Sequence, residues 1–230
     1  MEYGNQPNNE YQGGVWPPPP AGGPPPHSYL PNFQPLTSQS RAAVYTIWFS
    51  VVVANLSDIV DVVAPGTISS SVASLNSWIG LAAGIVYLVW LYRAYKGMMS
   101  LASTQPKSSP GWAIAYYFIP FLSLYKPLQI AQEMYRLSDP NPANPSTGRA
   151  PGFYLGWWLC YVVCQLTDIA ESIASDRSTK PELIAIAIPD VVLTTIAAVL
   201  VCRVINDLTS RLHARYDAVA GYVPASVPWQ

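Results

Sequence analysis

The chain has 230 residues, of which 50% are hydrophobic and only 11% are charged, and its formal net charge is −1 at pH 7. Soluble domains carry charge on about a quarter of their residues, because their surfaces face water. The deficit argues against an ordinary soluble domain and indicates a chain whose surface faces lipid. The sequence lacks the basic excess of nucleic-acid-binding proteins, and it contains no zinc-ligand spacing or phosphate-binding glycine loop.

The first 40 residues differ in composition from the rest of the chain. They hold ten of the 23 prolines, including the runs 17–20 and 24–26. Proline removes backbone donors and fixes φ, so residues 1–40 are predicted to be a disordered Pro/Gly-rich tail that samples polyproline II. The tail has neither the basic start nor the apolar run of a cleaved secretory signal, and the first apolar segment is therefore expected to act as an uncleaved anchor.

Apolar stretches of about 20 residues are long enough to cross roughly 30 Å of hydrocarbon. Four such stretches occur, at about 42–63, 75–92, 154–173 and 183–205. A fifth, at 112–125, is only 14 residues long and is interrupted by Pro120. The sequence therefore predicts an all-α integral membrane domain over residues 41–215, followed by a C-terminal tail at 216–230.

The positions of Lys and Arg decide between four and five spans, because cytoplasmic loops collect positive charge. With a cytoplasmic N-terminus and four spans, only Arg177 and Lys180 of the 12 cations lie outside, whereas a fifth crossing would divide the cations equally. Four transmembrane helices with both termini in the cytoplasm are therefore predicted. Residues 110–137 are then expected to form a re-entrant or interfacial helical element on the cytoplasmic side, kinked at Pro120 and Pro127.

Acidic residues fall in the predicted outer half of the bundle. Two sets of polar residues are spaced by three positions, so each set follows one helical stripe. The first set is Asn55, Asp58 and Asp61, and the second is Gln165, Asp168 and Glu171. Ionisable groups inside a membrane are costly, so the acids are a candidate cation or proton site, or polar contacts between helices. Oxygen ligands would suit Ca²⁺ or Mg²⁺ better than a soft metal, although the sequence identifies no metal. If the spans end early, the acids lie among the lipid headgroups instead. The candidate residues are Asp58, Asp61, Asp168, Glu171 and Asp190.

The second predicted span contains a small-xxx-small pair, Gly80 and Gly84. Such a pair allows helices to approach closely, either within the bundle or between the protomers of a homo-oligomer. The three cysteines lie on predicted spans that carry no histidine, a pattern more typical of apolar packing than of a metal site. His27 and His213 lie outside the spans, and no nucleophile–base set is formed. The chain is therefore predicted not to be an enzyme and to need no cofactor.

Two segments carry a family resemblance: WLYRAYK at residues 90–96 and SPGWAIAYYFIPFLSLYKPLQIAQEMYRLSDP at residues 109–140. On these motifs the chain resembles the bacterial membrane-protein family called domain of unknown function 4328. The resemblance implies a self-contained domain in a bacterial cytoplasmic membrane and supplies no activity. The family pattern has Asn where Gly97 and Ser123 stand in this chain. The most characteristic positions are Trp90, Arg93, Pro110, Gly111, Trp112, Pro120, Pro127 and Glu133.

Two classes of function are compatible with these features. Arg93, at the cytoplasmic end of its span, is expected to pair with Glu133, to bind a lipid phosphate, or simply to anchor the helix end. The favoured function is a structural or regulatory membrane module that presents the proline-rich cytoplasmic tail to protein partners. The alternative is a small transporter or a cation- or proton-sensing protein that uses the acidic residues. The lipid bilayer is the partner common to both.

Overall fold

The computed structural model describes residues 33–64, 70–102, 106–140, 149–174 and 180–221. Within these ranges, the side chains of 61, 62, 70, 71, 73, 168–174, 180–188, 220 and 221 are not described. The described part of the chain is helical and contains no strand, so the all-α prediction is confirmed. Its helices are α1 (Thr37–Val63), α2 (Ser70–Leu101), α3 (Pro110–Ala115), α4 (Pro120–Ser123), α5 (Lys126–Leu137), α6 (Gly152–Ala174) and α7 (Lys180–Gly221).

Three helices are long and apolar enough to cross a membrane, judged over the described residues. The qualifying segments are Thr37–Val60, Ser74–Leu101 and Pro189–Val219. They coincide with three of the four predicted spans, and the remaining one, 154–173, corresponds to α6. At 1.5 Å per residue, α2 is about 48 Å long and α7 about 63 Å, so both exceed the roughly 30 Å hydrocarbon thickness. The predicted tail boundaries fall inside helices, since α1 begins at Thr37 and α7 continues to Gly221.

The long helices alternate in direction. The start of α1 contacts the end of α7, where the Leu36 N–H donates to His213 Nε2 at 3.2 Å. The other end of α1 contacts the start of α2, where Asn76 Nδ2 donates to Ser57 Oγ at 2.7 Å. Helices α2 and α7 run parallel, and α7 is central because it packs against α1, α2, α5 and α6.

The well-packed core lies at one end of the bundle, which we call the packed end. There the last turns of α2 and α7, the start of α6 and helix α5 bury large side chains, among them Trp90, Tyr95, Met134, Tyr154 and Leu208. In the remainder of the bundle, large apolar side chains point outward, as Trp78 does with 67% of its surface exposed. An apolar exterior of this size is costly in water and suits contact with lipid tails.

The segment between α2 and α6 consists of three short helices, not one kinked helix. Pro110 and Pro120 are the first residues of α3 and α4, and Pro127 is the second residue of α5. A proline in the first turn costs no hydrogen bond, because the N–H groups there have no intrahelical acceptor. The predicted kinks at Pro120 and Pro127 are thus helix starts, which lets the chain turn over the packed end.

Candidate functional site at the packed end

The end of α2 supplies the first motif residues of the site. Trp90 is 1% exposed, and its indole N–H donates to Thr209 Oγ1 on α7 at 3.2 Å. Neighbouring Tyr87 lies 3.0 Å, hydroxyl to hydroxyl, from Tyr117 in the turn after α3. Because a buried indole N–H needs an acceptor, the Trp90–Thr209 bond sets the register of α2 against α7.

Glu133 on α5 is buried and is held by two donors from elsewhere in the chain. Its Oε2 accepts from the Tyr95 hydroxyl at 3.0 Å, and its Oε1 accepts from the Lys107 backbone N–H at 2.7 Å. The Ser108 carbonyl oxygen is also 3.0 Å from the Tyr95 hydroxyl. Glu133 therefore ties α5 to α2 and to the segment that leads into α3.

Arg93 does not form the pair with Glu133 that was one expectation from the sequence. Its side chain is exposed on the outer surface of α2. In the amide orientation that gives both the oxygen and the nitrogen of Gln39 hydrogen-bond partners, the Gln39 oxygen accepts from Arg93 Nη1. The guanidinium is thus positioned by α1 and remains at the surface, which leaves a lipid phosphate or simple anchoring of the helix end as its role.

The last turns of α7 carry a polar stripe, whose two arginines served only as topology signals in the sequence analysis and whose aspartate was not considered there. Asp207 Oδ2 accepts from the Tyr154 hydroxyl at 2.8 Å, and Arg211 Nη2 donates to the Tyr135 carbonyl at 3.2 Å. Arg215 is 4% exposed and donates to the Leu101 carbonyl at 3.3 Å and, through Nη1, to the Asp139 carbonyl at 2.9 Å. The spacing of four residues, which places Asp207, Arg211 and Arg215 on one face of α7, is the signal that could have revealed this stripe.

The residues that follow the proline-rich segment are bound to the same end of the bundle. The Phe33 ring stacks on Tyr216 with centroids 5.0 Å apart, and it meets His213 edge-on at 5.6 Å. A Cβ added at Gly97 would lie 3.1 Å from Phe33 Cε2. A side chain at position 97 would therefore require the Phe33 ring to shift. Most of the predicted tail, residues 1–32, lies outside the described part of the chain.

Positive charge is concentrated at the packed end. Every Lys and Arg whose side chain the structure describes belongs to this end, and two of them, Arg211 and Arg215, are used inside it. Arg177 lies outside the described residues, and only the backbone of Lys180 is described. The other exposed or half-buried cations of the packed end are Arg41, Arg93, Lys96, Lys107, Lys126, Arg136, Arg149 and Arg203.

Comparison with protein families decides the affiliation. The model of the family described as domain of unknown function (DUF4328) matches residues 54–210, more than half of the chain. This chain is a member of DUF4328. No curated protein matches the chain, and no solved structure matches it. The DUF4328 match includes all eight motif residues, whereas Arg215 and the Phe33 contacts lie beyond its limits.

Of the other motif residues predicted from the sequence, Pro127 is buried, whereas Gly111, Trp112 and Pro120 are exposed at the packed end. Pro110 begins α3, the Ser109 hydroxyl caps this helix by accepting from Trp112 N, and Gly111 is exposed. Trp112 is 55% exposed beside Tyr116, whose ring lies 5.1 Å from Lys126 Nζ. Exposed Trp and Tyr beside a cation are typical of residues at a membrane–water boundary.

The five acidic residues are only partly described in this DUF4328 member. Far from the packed end, α1 and α7 are joined by hydrogen bonds of Asn55 with Thr195 at 3.0 Å and with Thr194 at 3.2 Å. Asp58 and Asp190 lie close to these residues in the sequence. The side chains of Asp61, Asp168 and Glu171 fall outside the described residues. Among the described side chains, no group of three or more His, Cys, Asp or Glu could hold a metal ion. The acidic site therefore stays a prediction from sequence.

Proposed function

We propose that this protein is a multi-pass protein of a bacterial cytoplasmic membrane whose packed end lies at the cytoplasmic surface. In this proposal it is a structural or regulatory membrane module, without enzymatic activity, that holds its proline-rich N-terminal segment at the membrane surface for protein partners. The observation that carries the proposal is the binding of residues 33–36 to the cation-rich packed end.

The charge distribution supports the orientation. Cytoplasmic segments of membrane proteins are enriched in Lys and Arg, and the described cations of this chain are gathered at the packed end. Asp58 lies about 26 Å along α1 from Arg41 at 1.5 Å per residue. A bilayer whose hydrocarbon begins near Arg41 would therefore end close to Asp58, which favours headgroup contact over deep burial for this acid.

The connectivity supports a fourth span. Helix α5 packs at the packed end against α6, and α7 also arrives at the packed end in its last turns. The chain must therefore travel away from this end between α5 and α7, and α6, with 23 residues or about 34 Å, is long enough to cross. Helices α3 to α5 connect the end of α2 to the start of α6, and both of these lie at the packed end. This favours an interfacial position of α3 to α5 over a crossing of the membrane.

The contacts of Phe33 and Leu36 support the role of the N-terminal segment. Leu36 is buried, its N–H bonds to His213, and Phe33 stacks on Tyr216. In the sequence, the proline-rich stretch 17–26 ends seven residues before Phe33. Proline-rich segments bind aromatic grooves of partner proteins at low entropic cost, because polyproline II is already extended.

Single-cysteine labelling in intact cells tests the proposal. On a background without Cys160, Cys164 and Cys202, an impermeant thiol reagent is expected to label a reporter at Ser178. Reporters at Ser28, Ser146 and Ser226 are expected to react only after the membrane is permeabilised, because all three lie on the cytoplasmic side in the four-span arrangement.

Denatured cell extracts serve as the control, since all four reporters must label there with equal yield. Labelling at Ser146 and Ser226 in intact cells, with none at Ser178 or Ser28, would mean that the segment 110–137 crosses and that the four-span arrangement is wrong. Labelling at Ser28 in intact cells would place the proline-rich segment outside and remove the proposed role.

We further propose that Gly80 and Gly84 form a contact between protomers of a homo-oligomer. A Cβ added at either glycine would meet no described atom within 4 Å, so no described neighbour in the same chain uses this small-residue surface. Close backbone approach at such a surface favours association through van der Waals packing in lipid.

Gly80→Leu with Gly84→Leu is expected to reduce the dimer fraction in bilayers by about tenfold or more, since the bulky side chains prevent close approach. The stability of the isolated bundle should not fall, because leucine is the better helix former in open space. Energy transfer between labelled protomers measures association. Ala82→Leu, an exposed change on another face of α2, is the control and should leave the dimer intact. A wild-type chain that remains monomeric in the bilayer, or a double variant that dimerises as well as wild type, would contradict the proposal.

A further inference from the structure

A shallow groove of about 230 Å³ lies between α2 and α3 at the packed end. Its lining combines aliphatic side chains, one tyrosine and one cation, with no carboxylate among them. The lining residues are Ile85, Leu88, Val89, Tyr92, Arg93 and Ile114. Such a surface offers apolar contact along most of its length and positive charge at one end.

The groove follows the axis of α2. Ile85, Val89 and Tyr92 are four and three residues apart, so they form one stripe on the helix surface, and all three are exposed. The stripe runs for about 12 Å from Ile85 to Arg93 at 1.5 Å per residue. Lys96, three residues beyond Arg93 and also exposed, extends the charged end by one turn.

The protein positions the Arg93 guanidinium and leaves part of it at the surface. Gln39 accepts from one of its five N–H donors. Glu133 is the acid that the sequence suggests as a partner for Arg93. Glu133 instead accepts hydrogen bonds from the Tyr95 hydroxyl and the Lys107 backbone N–H. A guanidinium with a fixed orientation and remaining donors matches the geometry of a phosphate group, which it binds through two parallel hydrogen bonds.

We propose that this groove binds one anionic phospholipid from the surrounding leaflet. The acyl chain lies along Ile85, Val89 and Ile114, and the phosphate contacts Arg93 with Lys96 nearby. Charge complementarity identifies the occupant, since the groove ends in Arg93, Lys96 lies one turn beyond it, and the lining carries no acid to balance the positive charge. The inference rests on the proposed function, which places the packed end at the membrane surface, and it adds a specific lipid ligand to it.

Native mass spectrometry of the full-length protein, released from detergent micelles, tests the inference. The probes are phosphatidylglycerol and phosphatidylcholine with identical acyl chains. We expect one retained phosphatidylglycerol per chain, about fivefold more abundant than phosphatidylcholine at equal concentration. The attraction of one cation to an anionic lipid corresponds to about a fivefold increase in binding. Arg93→Gln should bring the two lipids to nearly equal retention, and Arg93→Lys should keep part of the preference.

Two further variants distinguish lipid binding in the groove from general electrostatic attraction by the cations of the protein. Ile85→Ala with Val89→Ala should lower retention of both lipids severalfold, and because both side chains are largely exposed the bundle should remain folded. Arg136→Gln, which removes an exposed cation on α5 outside the groove, should change nothing. Equal retention of the two lipids by wild type, an unchanged preference in Arg93→Gln, or an equal loss in Arg136→Gln would each overturn the inference.

Failure of the lipid site is distinguishable from failure of the proposed function. An incorrect orientation appears in the cysteine labelling of intact cells, before any lipid is added. An incorrect lipid site appears as the absence of an Arg93-dependent lipid preference in a chain whose labelling is as expected. A protomer that occupies the groove in place of lipid would appear as a dimer free of bound lipid, and this outcome would also overturn the inference.

Discussion

Replacing Trp90 with alanine is expected to lower the free energy of unfolding of the bundle by about 3–5 kcal/mol. The indole is 1% exposed and fills the contact between α2 and α7, so its removal leaves a cavity that the surrounding helices close only in part. The substitution also removes the donor to the buried Thr209 hydroxyl. Titration of the protein from mild detergent micelles into SDS, followed by far-ultraviolet circular dichroism, measures the loss.

Trp78→Ala is the matched control for this prediction. Trp78 lies on the same helix and is 67% exposed, so its replacement should change the stability of the bundle by less than about 1 kcal/mol. Trp90→Phe keeps most of the buried volume and loses the N–H donor, so it should cost clearly less than Trp90→Ala, about 1–2 kcal/mol. Equal losses for Trp78→Ala and Trp90→Ala would mean that the core is not located at the packed end.

Glu133→Ala is expected to cost about 2–4 kcal/mol and to free the segment that leads into α3. The substitution leaves the Tyr95 hydroxyl without its carboxylate acceptor and the Lys107 N–H without its partner, and hydrogen bonds to charged groups contribute about 1.5–3 kcal/mol each. Because Lys107 is held by Glu133, trypsin should cleave after Lys107 faster in the variant than in wild type. The SDS titration gives the stability, and timed proteolysis followed by mass spectrometry gives the cleavage rate.

Two control variants accompany Glu133→Ala, one in the same hydrogen-bond network and one on the same helix. Tyr95→Phe removes one of the two hydrogen bonds and should show a smaller loss than Glu133→Ala, without faster cleavage at Lys107. Gln129→Ala changes an exposed residue of α5 and should be close to neutral. If Glu133→Ala were as stable as wild type and as resistant to trypsin, the carboxylate would not hold the segment.

The positions of the long helices were predictable from the sequence, whereas the shape of the segment between them was not. The predicted spans coincide with α1, α2, α6 and α7 because hydropathy over about 20 residues depends on local composition. The expectation of kinks at Pro120 and Pro127 was wrong in detail, because a proline can either bend a helix or begin one. Sequence reasoning had no means to choose, since the choice depends on which surface the following residues pack against.

The candidate site was predictable as a set of positions and not as a set of contacts. Trp90 and Glu133, two of the predicted motif residues, are buried, but their partners Thr209 and Tyr95 were not foreseen. Arg93 and Glu133 have opposite charge and compatible depth, yet Glu133 is bound by other donors. The role of Arg215 was missed, because it was counted only toward topology and its spacing of four from Arg211 was not used.

The sequence by itself determined the class of the protein: apolar helices of membrane-spanning length and a proline-rich N-terminal segment. These are sums over neighbouring residues, and they hold however the helices are arranged. Only the tertiary structure decided that the core lies at one end, that Arg93 stays at the surface and that Phe33 and Leu36 bind beside His213. These outcomes depend on hydrogen bonds and ring contacts between residues far apart in the chain, whose geometry exists only when the helices are packed.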